Sequence, residues 1–280
     1  MSERSERVTI SVDDRGIADV RMNRPDKRNA LDGAMFRGLA DAGEQIKADP
    51  SVRVVVLSGE GASFCAGLDF SSFQSMADGD GASTERPARS SEDAPSDLTP
   101  GGITHLGQQV AWVWQEVTVP VIAAVHGHAL GGGIQIALGA DIRFVHPETK
   151  LSVREVHWGL VPDMTGTLFL SRLVGPDVAK ELVFTARIFS GAEAGELGIA
   201  THVSETPLDD AMVLAAEIAG RSPDAVRGAK ALINCLANSD AAEQFALERE
   251  VIGNLIGSPN QVEAIAANFQ NRSPSFTTTT

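Results

Sequence analysis

The sequence is poor in cysteine, in positive charge and in long apolar runs, and each shortage removes a class of function. Its two cysteines, Cys65 and Cys235, stand far apart and match no CxxC spacing. Neither a disulfide framework nor a zinc or dithiol motif is expected, and both read as reduced thiols. With 23 Lys and Arg against 37 Asp and Glu, the formal charge is −14. That balance opposes nonspecific binding to nucleic acid or an anionic membrane, which require a dominant cationic surface. No aliphatic run approaches bilayer-spanning length, and the polar start Met1-Ser2-Glu3-Arg4-Ser5-Glu6-Arg7 precedes no signal-like apolar stretch. A cytoplasmic protein with no membrane partner is the expectation. Nucleotide and hydrolase fingerprints are missing as well. There is no GxxxxGK followed by Ser or Thr, no third glycine completing Gly59-Glu60-Gly61 as a dinucleotide motif, and no GxSxG elbow.

What is present suffices for a substantial core. A chain of 280 residues with 43% hydrophobic composition forms one large domain, or a core with a helical appendage. Val8 to Val12 and Ile17 to Met22 read as strands around the turn Asp13-Asp14-Arg15-Gly16. Leu31, Met35, Leu39 and Ile46 fall at helical spacing, with Asp32 suited to cap the helix. Apolar runs at Val54 to Leu57, Val119 to Val125 and Ile142 to Val145 read as buried strands, with a helix over Ile134 to Ala140, an alternation that favours a parallel sheet covered by helices. From Pro176 onward the pattern is helical. Division into an α/β core over 1–205 and a helical region over 206–280 follows, with 76–102, rich in Gly, Ser, Asp, Glu and Pro, as a mobile loop.

Two glycine segments follow apolar runs. Val125-His126-Gly127-His128-Ala129-Leu130-Gly131-Gly132-Gly133 leads into a buried helix, whose first N–H groups lack internal partners and carry partial positive charge. Ser58-Gly59-Glu60-Gly61-Ala62-Ser63-Phe64-Cys65-Ala66-Gly67-Leu68-Asp69 follows the strand ending at Leu57. Alone, Gly131 to Gly133 would serve equally for tight helix–sheet packing. Together with Asn23-Arg24-Pro25-Asp26-Lys27-Arg28-Asn29-Ala30-Leu31, the pair resembles the crotonase superfamily, the enoyl-CoA hydratase/isomerase family, from about Val8 to Phe276. The resemblance implies a spiral of strand-strand-helix units, a C-terminal helical region that builds trimers or dimers of trimers, and an acyl-CoA thioester substrate. It also implies an oxyanion hole made by the amides of Leu68 and Gly132. Coenzyme A arrives as part of the substrate, so no separate cofactor is expected.

Leu151 to Thr167 aligns with that family's catalytic loop and contains Glu155 and Asp163. Hydratases of the family place two glutamates around a water, at positions matched here by Gln135 and Glu155. A neutral amide cannot act as a general base. The dienoyl-CoA isomerase branch resembles the loop closely and uses carboxylates at the Glu155 and Asp163 positions, although it too has an acid where Gln135 stands. Proton transfer between acyl carbons by Glu155 and Asp163 is therefore the expected chemistry. Hydration, thioester hydrolysis and a non-catalytic acyl-CoA-binding subunit are the alternatives.

Substrate contacts are expected from Gln135, from Arg28 through its guanidinium, and from Ala66 through its backbone. The family's terminal motif is matched by Phe269 to Phe276, with Asn271 where a CoA-contacting lysine is common. His126 and His128 alternate without a third ligand, which favours packing or hydrogen bonding over a metal. His157 reads as a satisfied polar residue beside Trp158.

Overall fold

The computed structural model describes residues 6–69, 98–99, 102–221, 223–237, 241–272 and 274. The expected loop over 76–102 lies outside them except for Leu98, Thr99 and Gly102. Strands β1 (Val8–Val12) and β2 (Ile17–Met22) form the antiparallel hairpin expected around the turn Asp13-Asp14-Arg15-Gly16. The Asp13 carboxylate closes its turn by accepting from the Arg15 and Ile17 amides. Helix α1 (Gly33–Ala48) starts where expected, with the Asp32 carboxylate accepting from the Met35 amide at 2.8 Å.

Strand β3 (Val54–Gly59) joins β2 in parallel, followed by α2 (Leu106–Glu116) and β4 (Val121–Val125). Next come β5 (His128–Leu130), α3 (Gly132–Gly139), β6 (Ile142–Val145) and β7 (Lys150–Ser152). Then α4 (Gly166–Leu173), α5 (Pro176–Thr185), β8 (Phe189–Ser190), α6 (Gly191–Glu196) and β9 (His202–Val203) complete the α/β part. Six strands form a sheet in the order β1-β2-β3-β4-β6-β9, parallel except for the first hairpin, while β5, β7 and β8 form a second, smaller sheet.

Both faces of the large sheet are covered, as the near-continuous apolar runs require. Along β3, Val55 and Leu57 point into the main core with α1 and α2, whereas Val54 and Val56 pack against α7 (Pro207–Ala219) through Ala211, Ala215 and Ala219. Helix α2 has no clean apolar pattern, because Gln108 and Gln109 are buried on it. The Gln108 amide donates to the Phe245 carbonyl and its oxygen accepts from Arg249, which ties α2 to α9 (Ala241–Leu255). The triple-glycine segment holds the short strand β5 before its helix, which glycine content alone conceals.

Helix α8 (Pro223–Ala237) is anchored by one charge. The buried Lys230 ammonium donates to the Trp114 and Val119 carbonyls at 2.9 Å and pairs with Asp141 at 2.8 Å. Lys230→Met is expected to lower unfolding free energy by about 1–3 kcal/mol, since it leaves the Trp114 and Val119 carbonyls without their buried donor, while the partly exposed Asp141 still accepts from the Val121 amide. Urea titration checks this, and a loss below about 1 kcal/mol would contradict it.

Candidate active site

The two glycine segments lie side by side because they pair as backbone. The Phe64 and Cys65 amides donate to the carbonyls of His126 and His128, and Leu130 donates to Cys65. On its other side the first segment pairs with Leu31, whose amide donates to the Gly67 carbonyl at 2.8 Å and whose carbonyl accepts from Asp69 at 3.0 Å. In a trans peptide the carbonyl and the following N–H point in opposite directions. The Gly67 carbonyl faces Leu31, so the Leu68 N–H faces away from it. The Gly131 carbonyl accepts from Gln135 along α3, so the Gly132 N–H points out of the helix start. Neither N–H donates to a backbone carbonyl among the described residues.

Glycine is required at Gly67 by the backbone, whereas at Gly132 it allows close side-chain packing. Gly67 has φ +90, and a Cβ there would lie 2.6 Å from the Leu130 carbonyl. At Gly132 a Cβ would lie 2.6 Å from Leu31 Cδ1 and 2.9 Å from Met164 Sδ. Close approach keeps the two amide-bearing loops in register.

Glu155 opens a 3-10 turn, Glu155–Trp158, directly after β7. Its Oε1 accepts from the Gln135 amide at 2.6 Å. Although the residue keeps some exposure, Oε2 is buried with no hydrogen-bond partner. A Cβ on Gly131 would come within 3.3 Å of Oε1, so the carboxyl sits against the residue preceding Gly132. Burial pushes its pKa up to about 7, partly opposed by the Gln135 amide and local backbone N–H groups. The group is thus divided between its two protonation states at neutral pH.

Asp163 is half-buried on the segment between the 3-10 turn and α4. It is placed by its neighbour, because the Met164 and Gly166 amides both donate to Gln135 Oε1 at 3.0 Å. One fully buried side chain on α3 therefore touches Glu155 and the loop carrying Asp163. Met164 also packs on Gly132. Glu155, Asp163, Gln135 and Gly132 are held in one neighbourhood, as their order in the sequence could not establish.

Arg28 is exposed, and its carbonyl accepts from the Ala66 amide at 2.9 Å. Burial, and then the charges of Arg28 and Lys150, disfavour protonation of His128. His128 Nδ1 is 2.9 Å from Ser63 Oγ, and His126 Nε2 is 2.9 Å from the Gly61 carbonyl. His157 stacks edge-on against Trp158 with ring centroids 5.2 Å apart, and its Nε2 is 3.3 Å from Arg154. The Cys65 thiol is buried, and burial pushes its pKa up to about 12, which keeps it protonated.

Three contributors are absent from a reading of single residues. Asn29, fully buried, accepts from the Arg24 amide and donates to the Glu60 and Ser63 carbonyls, fastening the Asn23 to Leu31 segment to the first glycine loop. Arg24 pairs with Asp69 at 2.6 Å and donates to the Ala30 carbonyl. Leu160, Ile252 and Ile265, with Trp158 and Ile256, form an apolar cluster against Leu68. The spacing of Ile252 and Ile256, the latter just past the end of α9, was the available signal, but nothing in sequence linked it to Leu68. By contrast, the open cleft of about 460 Å³ between α8 and the 115–118 turn includes Lys230, whose ammonium is already committed.

Glu155 makes stability depend on pH. An unperturbed glutamate titrates near 4.5 and this one near 7. Between those values the fold holds a proton that the unfolded chain has released. Its stabilising contribution is complete below 4.5 and is lost as pH rises through about 7. Glu155→Gln is expected to raise the thermal midpoint more at about pH 8 than at about pH 5. Equal effects at both would contradict a buried, proton-retaining carboxyl.

Comparison with known proteins bears on the family and the fold. The family model for enoyl-CoA hydratase/isomerase matches residues 17–280. The peroxisomal Delta(3,5)-Delta(2,4)-dienoyl-CoA isomerase of Arabidopsis thaliana is 33% identical over 260 residues, covering 91% of this chain and 90% of its own. Crotonyl-CoA hydratase of Syntrophomonas wolfei is 30% identical over 263 residues, with coverage of 93% and 94%. A crystal structure of an enoyl-CoA hydratase/isomerase from Pseudoalteromonas atlantica superimposes with a TM-score of 0.80 at 26% identity, covering 97% of this chain and 100% of that one. The shared fold, the paired glycine loops and these similarities lead to one assignment: the chain belongs to the enoyl-CoA hydratase/isomerase family of the crotonase superfamily.

Proposed function

We propose that the protein shifts the double bond of an enoyl- or dienoyl-CoA, with Glu155 and Asp163 as proton carriers and the Leu68 and Gly132 amides as the oxyanion hole. Ionised Glu155 takes a proton from an acyl carbon. The released electron pair moves toward the thioester carbonyl, whose oxygen becomes the enolate oxygen between the two amides. In this scheme Asp163 carries the proton that is returned to a distal carbon as the carbonyl reforms with the double bond displaced, and passage of the proton held by Glu155 to Asp163 then restores both groups. One proton leaves and one enters, so the product has the substrate's mass. Fixed donors aimed at charge that appears during reaction are worth about 2.7–4 kcal/mol each.

The observation carrying this reading is the Gln135–Glu155 pair at 2.6 Å, in which only one of the two facing groups can exchange a proton near neutral pH. The apolar cluster of Trp158, Leu160, Ile252 and Ile265 against Leu68 suits an apolar acyl group. Arg28, whose carbonyl holds the Ala66 amide, supplies a cation beside Ala66 for the phosphates of coenzyme A. Hydration is the second reading, favoured by the similarity to a crotonyl-CoA hydratase.

Incubation with a 3,5-dienoyl-CoA and, separately, a 2-enoyl-CoA separates the readings by near-ultraviolet absorbance and product mass. New conjugation at unchanged mass is expected with the first. Loss of the enoyl chromophore with one added water in the second would make hydration primary. Glu155→Gln and Asp163→Asn are each expected to lower isomerisation by about 10²-fold or more. Full activity in both folded variants would overturn the assignment of the acids.

A further inference from the structure

Helix α10 (Pro259–Phe269) rests on the turn that Glu155 opens, where the Asn268 amide donates to the His157 carbonyl at 3.0 Å. Gly159, which ends that turn with φ +72, makes the approach possible. A Cβ there would lie 2.7 Å from Gln261 Cα and 3.1 Å from Ala264 Cβ. Gln261 is thereby held over the turn, and its side chain is fully buried. Its Oε1 accepts from the Gly257 amide at 3.0 Å, just beyond the end of α9. That bond fixes which way the side-chain amide faces, because the flipped form would set its NH2 against a backbone donor. Nε2 is then a buried donor with no hydrogen-bond partner among the described residues.

The surroundings give that donor a use. Ile265 follows Gln261 by one turn of α10, Ile252 and Ile256 precede Gly257, and Leu160 follows Gly159; all four belong to the apolar cluster that reaches Leu68. Trp158, Ile256 and Leu68 keep partial exposure, so the cluster presents apolar surface beside the Leu68 amide. A purely hydrocarbon acyl group spread on it would leave the Gln261 NH2 buried and unpaired, which weakens binding. A carboxylate would be desolvated there with no cation in the cluster to balance it. A neutral oxygen on the acyl chain meets neither difficulty, because it accepts from Nε2 without bringing charge.

We infer that Gln261 determines substrate specificity: its amide donates to a neutral oxygen on the acyl chain beyond the thioester, a keto carbonyl by preference, so that oxo-substituted acyl-CoAs are favoured over hydrocarbon ones. A ketone is preferred to a hydroxyl because it brings no proton that needs an acceptor of its own. The inference rests on the function proposed above for the place of the acyl group against Leu68. It holds whether isomerisation or hydration follows, since the contact is made to a part of the substrate that does not react.

The test measures dissociation constants by titration calorimetry for octanoyl-CoA and for its 5-, 6- and 7-oxo derivatives, saturated ligands that neither isomerise nor hydrate. The best of the oxo ligands is expected to bind the wild type at least about fivefold more tightly than octanoyl-CoA. Gln261→Met, which removes the donor at similar volume, is expected to bring the two affinities within about twofold of each other, with octanoyl-CoA bound no more weakly than before. A purely structural Gln261 would instead lower the thermal midpoint of the variant and leave the ratio unchanged. Oxo ligands that bind the wild type no better than octanoyl-CoA, or a preference that survives in folded Gln261→Met, overturn the inference and leave the proposed reaction standing. Failure of every acyl-CoA to bind overturns both. If Gln261→Met does not fold, the infrared band of a ¹³C-labelled oxo group on the wild type decides: a frequency below that in hexane supports donation to the ketone, and a hexane-like frequency overturns it.

Discussion

Parallel backbone pairing between residues 64–65 and 126–130 is the constraint on which the site depends. It brings together two loops that leave different strands of the sheet, and it does so with main-chain hydrogen bonds that do not require particular side chains. The consequence is directional. With the Gly67 carbonyl held by Leu31 and the Gly131 carbonyl held by Gln135, planarity of each peptide aims the next N–H outward. Asn29 and Arg24 fasten this frame from the amino-terminal side. Donors fixed in this way need little reorganisation when charge develops.

Chemistry is then added by burial. Glu155 is placed where one oxygen is engaged and the other has no partner, and desolvation brings its titration to about 7. The same carboxyl in water would be almost wholly ionised at neutral pH and a weaker base. In the proposed reaction this loss of local stability would supply a proton acceptor matched to its medium. Gln135 contributes by geometry rather than by titration, since its amide bonds to Glu155 and to the loop containing Asp163.

Much of the frame was legible in the amino-acid order. The first hairpin, the Asp32 cap and the buried strands β3, β4 and β6 follow from turn chemistry, capping and apolar runs. The resemblance also identified both glycine loops. Less legible was α2, whose inward glutamines bond to α9 and so break the apolar rhythm. Strand β5 is hidden because three residues between glycines carry no measurable period. At the site, Glu155 was apparent from the loop motif, but its contact with Gln135 joins residues twenty positions apart. The packing of Ile252 and Ile265 near Leu68 depends on the return of α9 and α10 (Pro259–Phe269), a long-range arrangement that local periodicity does not encode.

The central claim is that two outward amides polarise a thioester carbonyl. Difference infrared spectroscopy of a bound acyl-CoA carrying a ¹³C-labelled thioester carbonyl reads that polarisation directly. The account predicts a carbonyl stretch at lower frequency on the protein than in water, as two fixed N–H groups draw charge onto the oxygen. A bound ligand whose carbonyl band stays at its solution frequency would contradict it.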